Sequence, residues 1–350
     1  MECKSYFAQK HFCPGHSLME KNDLQLRLFR KIKEKLVQNI SLADELADIL
    51  QISNDSAYRR IRGEKELSLP EAEKLCAHFR ISLDQLMNIE SAGIIFSGKP
   101  VDPVTFSFVQ YLEELVMQLT IIRKYNGVIY YEAKDILPFH HYQFPELADF
   151  KYFFWMKTIL NYPEFHKKCF EDFVTEDRIR EAGNQIISVY SEISSVEIWN
   201  AENLYSSIRQ IEFCTQSGII KNKTTADNLY RQLAMLLNHL EEQAVTGQKF
   251  VYGNSPAAQK NNFQLFCNET FFGHNTLLVE IQGKTRAFLN YGVLNYLETE
   301  DEKFCKYIKN SMENTMHKSS LISSVNEKER SRFFGKLHRQ IEYSANGKGN

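Results

Sequence analysis

Three serines set the scale of the N-terminal fold. Ser41, Ser53 and Ser68 each precede a run of apolar residues at helical spacing, and each carries a hydroxyl able to accept from the free amides of a helix start. Helices that begin at such short intervals are themselves short, so this part of the chain buries its apolar faces only as a bundle of several pieces. Leu24, Leu28, Ile32 and Leu36 recur every four positions, with Arg27, Lys31, Lys33 and Lys35 on the remaining faces, and predict a first amphipathic helix. After Ser41, the residues Leu42, Leu46, Ile49 and Leu50 make one apolar stripe, which Gln51-Ile52-Ser53 interrupts. A third helix, NDSAYRRIR, stops at Gly63, which tolerates the left-handed conformation of a helix end. Ser68 with Glu71 forms a capping box before LPEAEKLCAHF, Pro70 sits in the first turn, and Leu75, Cys76 and Phe79 face inward. ISLDQLM adds a short fifth helix.

The run LADELADILQISNDSAYRRIRGEKELSLPEAEKLCAHFRISLDQLM resembles the lambda-repressor-like (XRE-type) helix-turn-helix family of bacterial regulators. The resemblance rests on L-A-x-x-L, a turn containing I-S, a recognition helix ending in Gly and the closing I-S-L-D-x-L, and it covers residues 24–90, about a fifth of the chain. It implies that helix 42–50 crosses a DNA backbone and that helix 54–62 enters the major groove. On helix 54–62, Ala57 and Ile61 lie four apart and pack inward, while Asn54, Asp55, Tyr58, Arg59 and Arg62 project elsewhere. Arg pairs with guanine edges and Asn with adenine, while Arg60, Lys65 and the helix N-terminal amides beside Ser53 hold phosphates. Arg60 stands where many family members carry an apolar residue, and Asp55 acts at the helix start as a base-reading or dipole residue.

Charge adds a constraint on stoichiometry. Segment 53–65 has four basic and two acidic residues, but segment 24–90 has 11 of each, so one copy gains little from counterion release. A homodimer reading two half-sites of double-stranded DNA about one helical turn apart is implied. Across the whole chain, 42 basic and 44 acidic residues exclude a polycationic coat, and any nucleic-acid contact must be local.

A length of 350 residues suggests two or three domains. No charge-free window of membrane-spanning length and no signal-peptide core occur, so the chain reads as cytoplasmic, without membrane contact. The seven cysteines never form C-x-x-C and read as reduced, mostly buried thiols. Residues 1–20 read as a disordered tail; Cys3, His11, Cys13 and His16 cluster there, but their spacing fits no standard zinc pattern. Residues 21–90 form the helix-turn-helix domain, 91–104 a linker, 105–345 an effector or dimerisation domain, and 346–350 a disordered end.

The larger part is expected to be mainly helical with a small antiparallel sheet near its C-terminus, an α+β arrangement. Helices are predicted over 105–124, 175–192, 201–217 and 224–246, and GVIYYEA reads as a short strand segment. Tyr142, Phe144, Phe150, Tyr152, Phe153, Phe154 and Trp155 are dense enough to build a core, or to line a pocket or dimer interface. His140 and His141 are adjacent and read as loop or core histidines. FQLFCNET, NTLLVEI and TRAFLNYG predict an antiparallel meander, followed by two helices with Thr299 and Glu302, then Asn326 and Glu329, as capping pairs. The last helix shows a basic face of Lys328, Arg330, Arg332, Lys336 and Arg339 beside Phe333, Phe334 and Leu337.

Catalytic signatures are missing from the sequence. Gly283-Lys284-Thr285 lacks the upstream glycine of a phosphate loop, and H-E-x-x-H, G-x-S-x-G and G-x-G-x-x-G do not occur. The expectation is a DNA-binding transcriptional regulator that needs no cofactor and whose larger part senses a small molecule or protein. An interaction scaffold whose helical unit binds protein is the alternative, and an enzyme with a closed pocket of convergent titratable groups is the third.

Overall fold

The serine positions coincide with the bends of the computed structural model, which describes residues 23–36, 41–79, 81–87, 93–98, 101–102, 105–256, 262–270, 274–292 and 294–346. The zinc reading of Cys3, His11, Cys13 and His16, and the chain end from 347 on, lie outside the described residues. The chain divides into two units, Met1–Gly93 and Ile94–Asn350.

The described part of the first unit contains α1 (Asp23–Lys35), α2 (Leu42–Leu50), α3 (Asn54–Ile61), α4 (Leu69–Phe79) and α5 (Leu83–Met87). Their apolar stripes meet in one core of Leu28, Phe29, Ile32, Leu46, Ala57 and Leu75 with their neighbours. Ser53 caps α3 by accepting from the Ser56 amide at 3.3 Å. Ser68 and Glu71 form the expected box, each backbone amide donating to the other's side chain, at 3.0 and 3.4 Å. Ser41 precedes α2 but makes no side-chain cap. Gly63 follows α3 at φ +75°, the left-handed conformation its place in the sequence suggests.

The second unit runs α6 (Phe108–Lys124), β1 (Val128–Glu132), α7 (Pro145–Phe154), α8 (Asp177–Glu192), β2 (Ser194–Trp199), α9 (Tyr205–Gln216) and α10 (Lys223–Thr246). It continues with β3 (Phe263–Cys267), β4 (Thr276–Ile281), β5 (Lys284–Asn290), β6 (Tyr296–Thr299), α11 (Glu302–His317), β7 (Ser320–Leu321) and α12 (Glu327–Ala345). The expected small antiparallel sheet is corrected to a mixed seven-stranded sheet in the order β6-β5-β4-β1-β2-β3-β7. Its centre, β1-β2-β3, is parallel, while β4-β5-β6 is the antiparallel meander. FQLFCNET therefore lies beside β2 rather than beside NTLLVEI. Parallel strands are joined by crossovers instead of tight turns, so no local turn signal marks them, and a single residue, Ile193, separates α8 from β2.

Alternation along the strands gives the sheet two covered faces. Ile129, Tyr131, Trp199, Phe263, Leu265 and Val279 point into the large core built by α6 to α10 and α12. Tyr130, Ile198, Phe266, Leu278 and Ala287 point the other way, onto Cys305 and Met312 of α11. Both crossovers, through α7–α8 and through α9–α10, lie on the first face. The aromatic run from Tyr142 to Trp155 is core: all seven rings named above are at most 8% exposed. Part of the expected linker belongs to this unit, since Ser97 and Glu298 exchange backbone hydrogen bonds of 2.7 Å beside β6.

Three helix-end expectations change. Asp301, not Thr299, caps α11 by accepting from the Phe304 amide at 2.8 Å. Asn326 sits at φ +55° before α12, and its side chain donates to the Leu321 carbonyl instead of capping. Arg330 is absent from the basic surface of α12; it is buried and donates to the carbonyls of Ile322 and Val325. No described helix is long and apolar enough to cross a membrane.

Candidate nucleic-acid interface

α3 has only eight residues, too few to hold its own shape in water, so whatever its outer face does depends on what anchors its inner face. Ala57 is fully buried and Ile61 half-buried, as their spacing predicts. The third anchor is Arg60, and here the phosphate-binding expectation is corrected. Its side chain is 4% exposed and forks onto Glu71 of α4, with Nη2 at 2.6 Å and Nε at 3.3 Å from the two carboxylate oxygens. Nη1 also donates to the Ser56 hydroxyl at 2.7 Å and the Ser56 carbonyl at 3.2 Å. A guanidinium engaged on all three nitrogens and shielded from solvent is not available to a phosphate. Burial pushes the Glu71 carboxyl up, but the hydrogen bonds from Arg60 and Ser68 and the guanidinium charge outweigh it and hold that carboxyl below its ordinary value.

A second fastening comes from α1, and the sequence gives no hint of it. Gln25 donates to the carbonyls of Arg60 at 2.7 Å and Lys65 at 2.9 Å, and accepts from the Leu67 amide at 2.9 Å. One side chain thus ties down the end of α3 and the loop behind it. A polar residue beside Leu24 on an amphipathic helix looks like an ordinary solvated position until its tertiary partner is known.

The other expected residues lie on the outside. Ser53, Asn54, Asp55, Tyr58, Arg59, Arg62 and Lys65 are all exposed. Ser53 spends its hydroxyl on the cap, and Asn54 donates to Asp44 of α2 at 2.9 Å. Asp55 lies in the first turn, where a negative charge suits the helix dipole. Arg59 and Arg62 are 53% and 58% exposed and share Glu64, whose carboxylate lies 3.9 Å from Arg59 Nε and 2.8 Å from Arg62 Nε. The face is long-reaching and mixed in sign.

The second unit buries a polar cluster beside the parallel strands. Glu197 on β2 accepts from Tyr190 at 2.5 Å and Trp199 at 2.8 Å and lies 3.3 Å from His140 Nε2. Burial pushes the Glu197 carboxyl up, but His140, Tyr190 and Lys249 together hold it below its ordinary value. The Lys249 ammonium stands 3.6 Å over the Tyr190 ring with no hydrogen-bond partner among the described residues. Burial pulls its pKa down to about 7, against the opposing pull of Glu197. Nearby, Lys151 and His141 share the Ser207 hydroxyl at 2.8 and 3.2 Å, and burial lowers the lysine pKa to about 8. These are convergent titratable groups, yet they are sealed. Two surface grooves of the described residues are lined elsewhere, one of about 650 Å³ by Glu146, Phe170, Glu171 and α10 residues, the other of about 330 Å³ between α6 and α8. Among the described residues no group of three His, Cys, Asp or Glu is placed to hold a metal ion.

Comparison of the chain with family models, with curated proteins and with solved structures finds no match in any of the three.

Proposed function

We propose that this chain is a sequence-specific DNA-binding regulator of the lambda-repressor-like helix-turn-helix kind, in which α3 enters the major groove and the second unit pairs two copies and responds to an effector. The observation that carries the reading is the division of α3 into an anchored inner face, Ala57 with the Arg60–Glu71 fork, and an exposed outer face of Asn54, Tyr58, Arg59 and Arg62. A reading helix needs that combination: rigid seating behind, and solvent-exposed, long-reaching side chains in front. Glu64 competes for both arginines, but releasing an exposed pair costs about 0–1 kcal/mol, whereas a bidentate guanine contact is worth about 1–3 kcal/mol. The exchange favours DNA.

With Arg60 withdrawn into the core, the cations left on this face are Arg59, Arg62 and Lys65. So few phosphate contacts make a single copy weak, and a homodimer supplies the missing affinity. A small-molecule or protein effector then acts through its differential affinity for two arrangements of the recognition helices. The reading needs no catalytic step and no cofactor, and it places the protein in the cytoplasm. Fluorescence anisotropy of the full chain on duplex DNA tests it. Wild type should bind with salt-dependent affinity, and Arg59→Ala or Arg62→Ala should cost about 1–3 kcal/mol; variants that bind as wild type does would remove α3 from the interface.

A protein-interaction module is the second reading. Glu64 between the arginines and Asp55 at the helix start favour it, because both weaken phosphate attraction. It predicts no salt-dependent association with any duplex.

A further inference from the structure

The outer face of α6 has a pattern that pairs with itself. Met117 and Ile121 are 58% and 45% exposed there, and the exposed Glu114 and Lys124 flank them. The spacing 114, 117, 121, 124 alternates three and four residues, which places all four side chains on one stripe, opposite the buried Leu112, Leu119 and Ile122. Neither Glu114 nor Lys124 has an ion-pair partner among the described residues; Lys124 only stands 5.5 Å over the Tyr125 ring.

We propose that α6 packs antiparallel against α6 of a second copy of this chain about a two-fold axis at Leu119. In that arrangement positions whose numbers sum to 238 face each other. Met117 meets Ile121 of the other copy and Glu114 meets Lys124, each twice, so the apolar centre is closed at both ends by opposite charges. The exposed stripe of α9 lacks this coincidence. On α9 the exposed stripe Tyr205, Arg209, Phe213 is symmetric about Arg209, so an antiparallel self-pair would set two guanidinium groups against each other. The stripe on α6 is self-complementary in the order of its apolar and charged positions; that on α9 is not.

This surface deepens the dimeric part of the function proposed above and rests on that part alone, since it is measured without DNA. The test is analytical ultracentrifugation of the full chain with Glu114→Lys, Lys124→Glu, the double variant, and an equimolar mixture of the two single variants. Each single change places two like-charge pairs in the seam and should weaken self-association by about tenfold or more. The mixture restores both opposite pairs in a heterodimer, and the double variant restores them with the signs exchanged, so both should regain wild-type association. A wild type that stays monomeric throughout, single variants that associate as wild type does, or a mixture no tighter than its components would each overturn the proposal. Single variants that associate as wild type does, or a mixture no tighter than its components, would overturn the seam alone and leave the proposed function standing; a monomeric wild type would remove the dimeric part of that function as well, and loss of DNA binding would leave the seam standing.

Discussion

Replacing Glu71 by alanine asks whether α3 is held in place by an ion pair. The fork to Arg60 consists of two charge-assisted hydrogen bonds between a side chain 4% exposed and one 21% exposed. Stranding one member of a fully buried pair costs about 3–5 kcal/mol. Because the Glu71 site is one-fifth open, water reaches the orphaned guanidinium, and about 2–3 kcal/mol is expected here. The same carboxylate accepts from the Ser68 amide, so loss of that cap adds about 1 kcal/mol. The sum, about 3–4 kcal/mol, is a large share of what a unit this small can hold, at about 0.05–0.15 kcal/mol per residue. Urea unfolding of the full chain, followed by far-ultraviolet circular dichroism, measures the loss. Fluorescence of Trp155 and Trp199, both in the second unit, serves as the reference. The double change Arg60→Met with Glu71→Leu should recover most of the stability, since an apolar pair avoids the stranded charge. Glu71 is held below its ordinary value of 4.5, so its contribution is present above that value and lost as pH falls through the lowered folded value. A Glu71→Ala loss below about 1 kcal/mol would refute this account of how α3 is seated.

The remaining expectations concern the second unit and the outer face of α3. Lys249→Met should stabilise most below pH 7, because Lys249 is then charged in both states and the folded chain bears the full cost of burying it. From about pH 7 to 10.5 the unfolded lysine holds more protons than the folded one, so wild type gains up to about 1.4 kcal/mol per pH unit and the advantage of Met shrinks; a difference independent of pH would contradict this. Gly183→Ala in α8 would bring a methyl group to 2.1 Å from the Tyr152 hydroxyl, so a loss of about 1–3 kcal/mol is expected, with Tyr152→Phe in the same chain recovering most of it in thermal unfolding. Arg59→Ala and Arg62→Ala should leave urea stability within about 0.5 kcal/mol of wild type, because both side chains are over half exposed.

The first unit was largely legible because its information is local. Ser53, Gly63 and the Ser68–Glu71 box act within three or four residues of themselves, and each marks a helix end where it is found. Arg60 misleads for the opposite reason. Its partner lies eleven residues away on another helix, and a charged residue that shares the face of Ala57 looks solvent-bound until that partner is placed. Gln25 is a stronger case, since the groups it joins lie 35 to 42 residues along the chain. In the second unit the helices show their periodicity, but the parallel centre of the sheet depends on crossovers that leave no turn signature. Glu197 could not be recognised as buried from SSVEIW alone, because its donors come from two other elements as well as from β2 itself.

Selecting bound sequences from a random pool of duplex DNA with the full-length protein addresses the role of α3 without presupposing an operator. Enrichment of an inverted repeat with half-sites about 10 base pairs apart, lost when Arg59 and Arg62 are both alanine, is the expected result. A pool that stays random at low salt, or enrichment that survives the double alanine change, would contradict it.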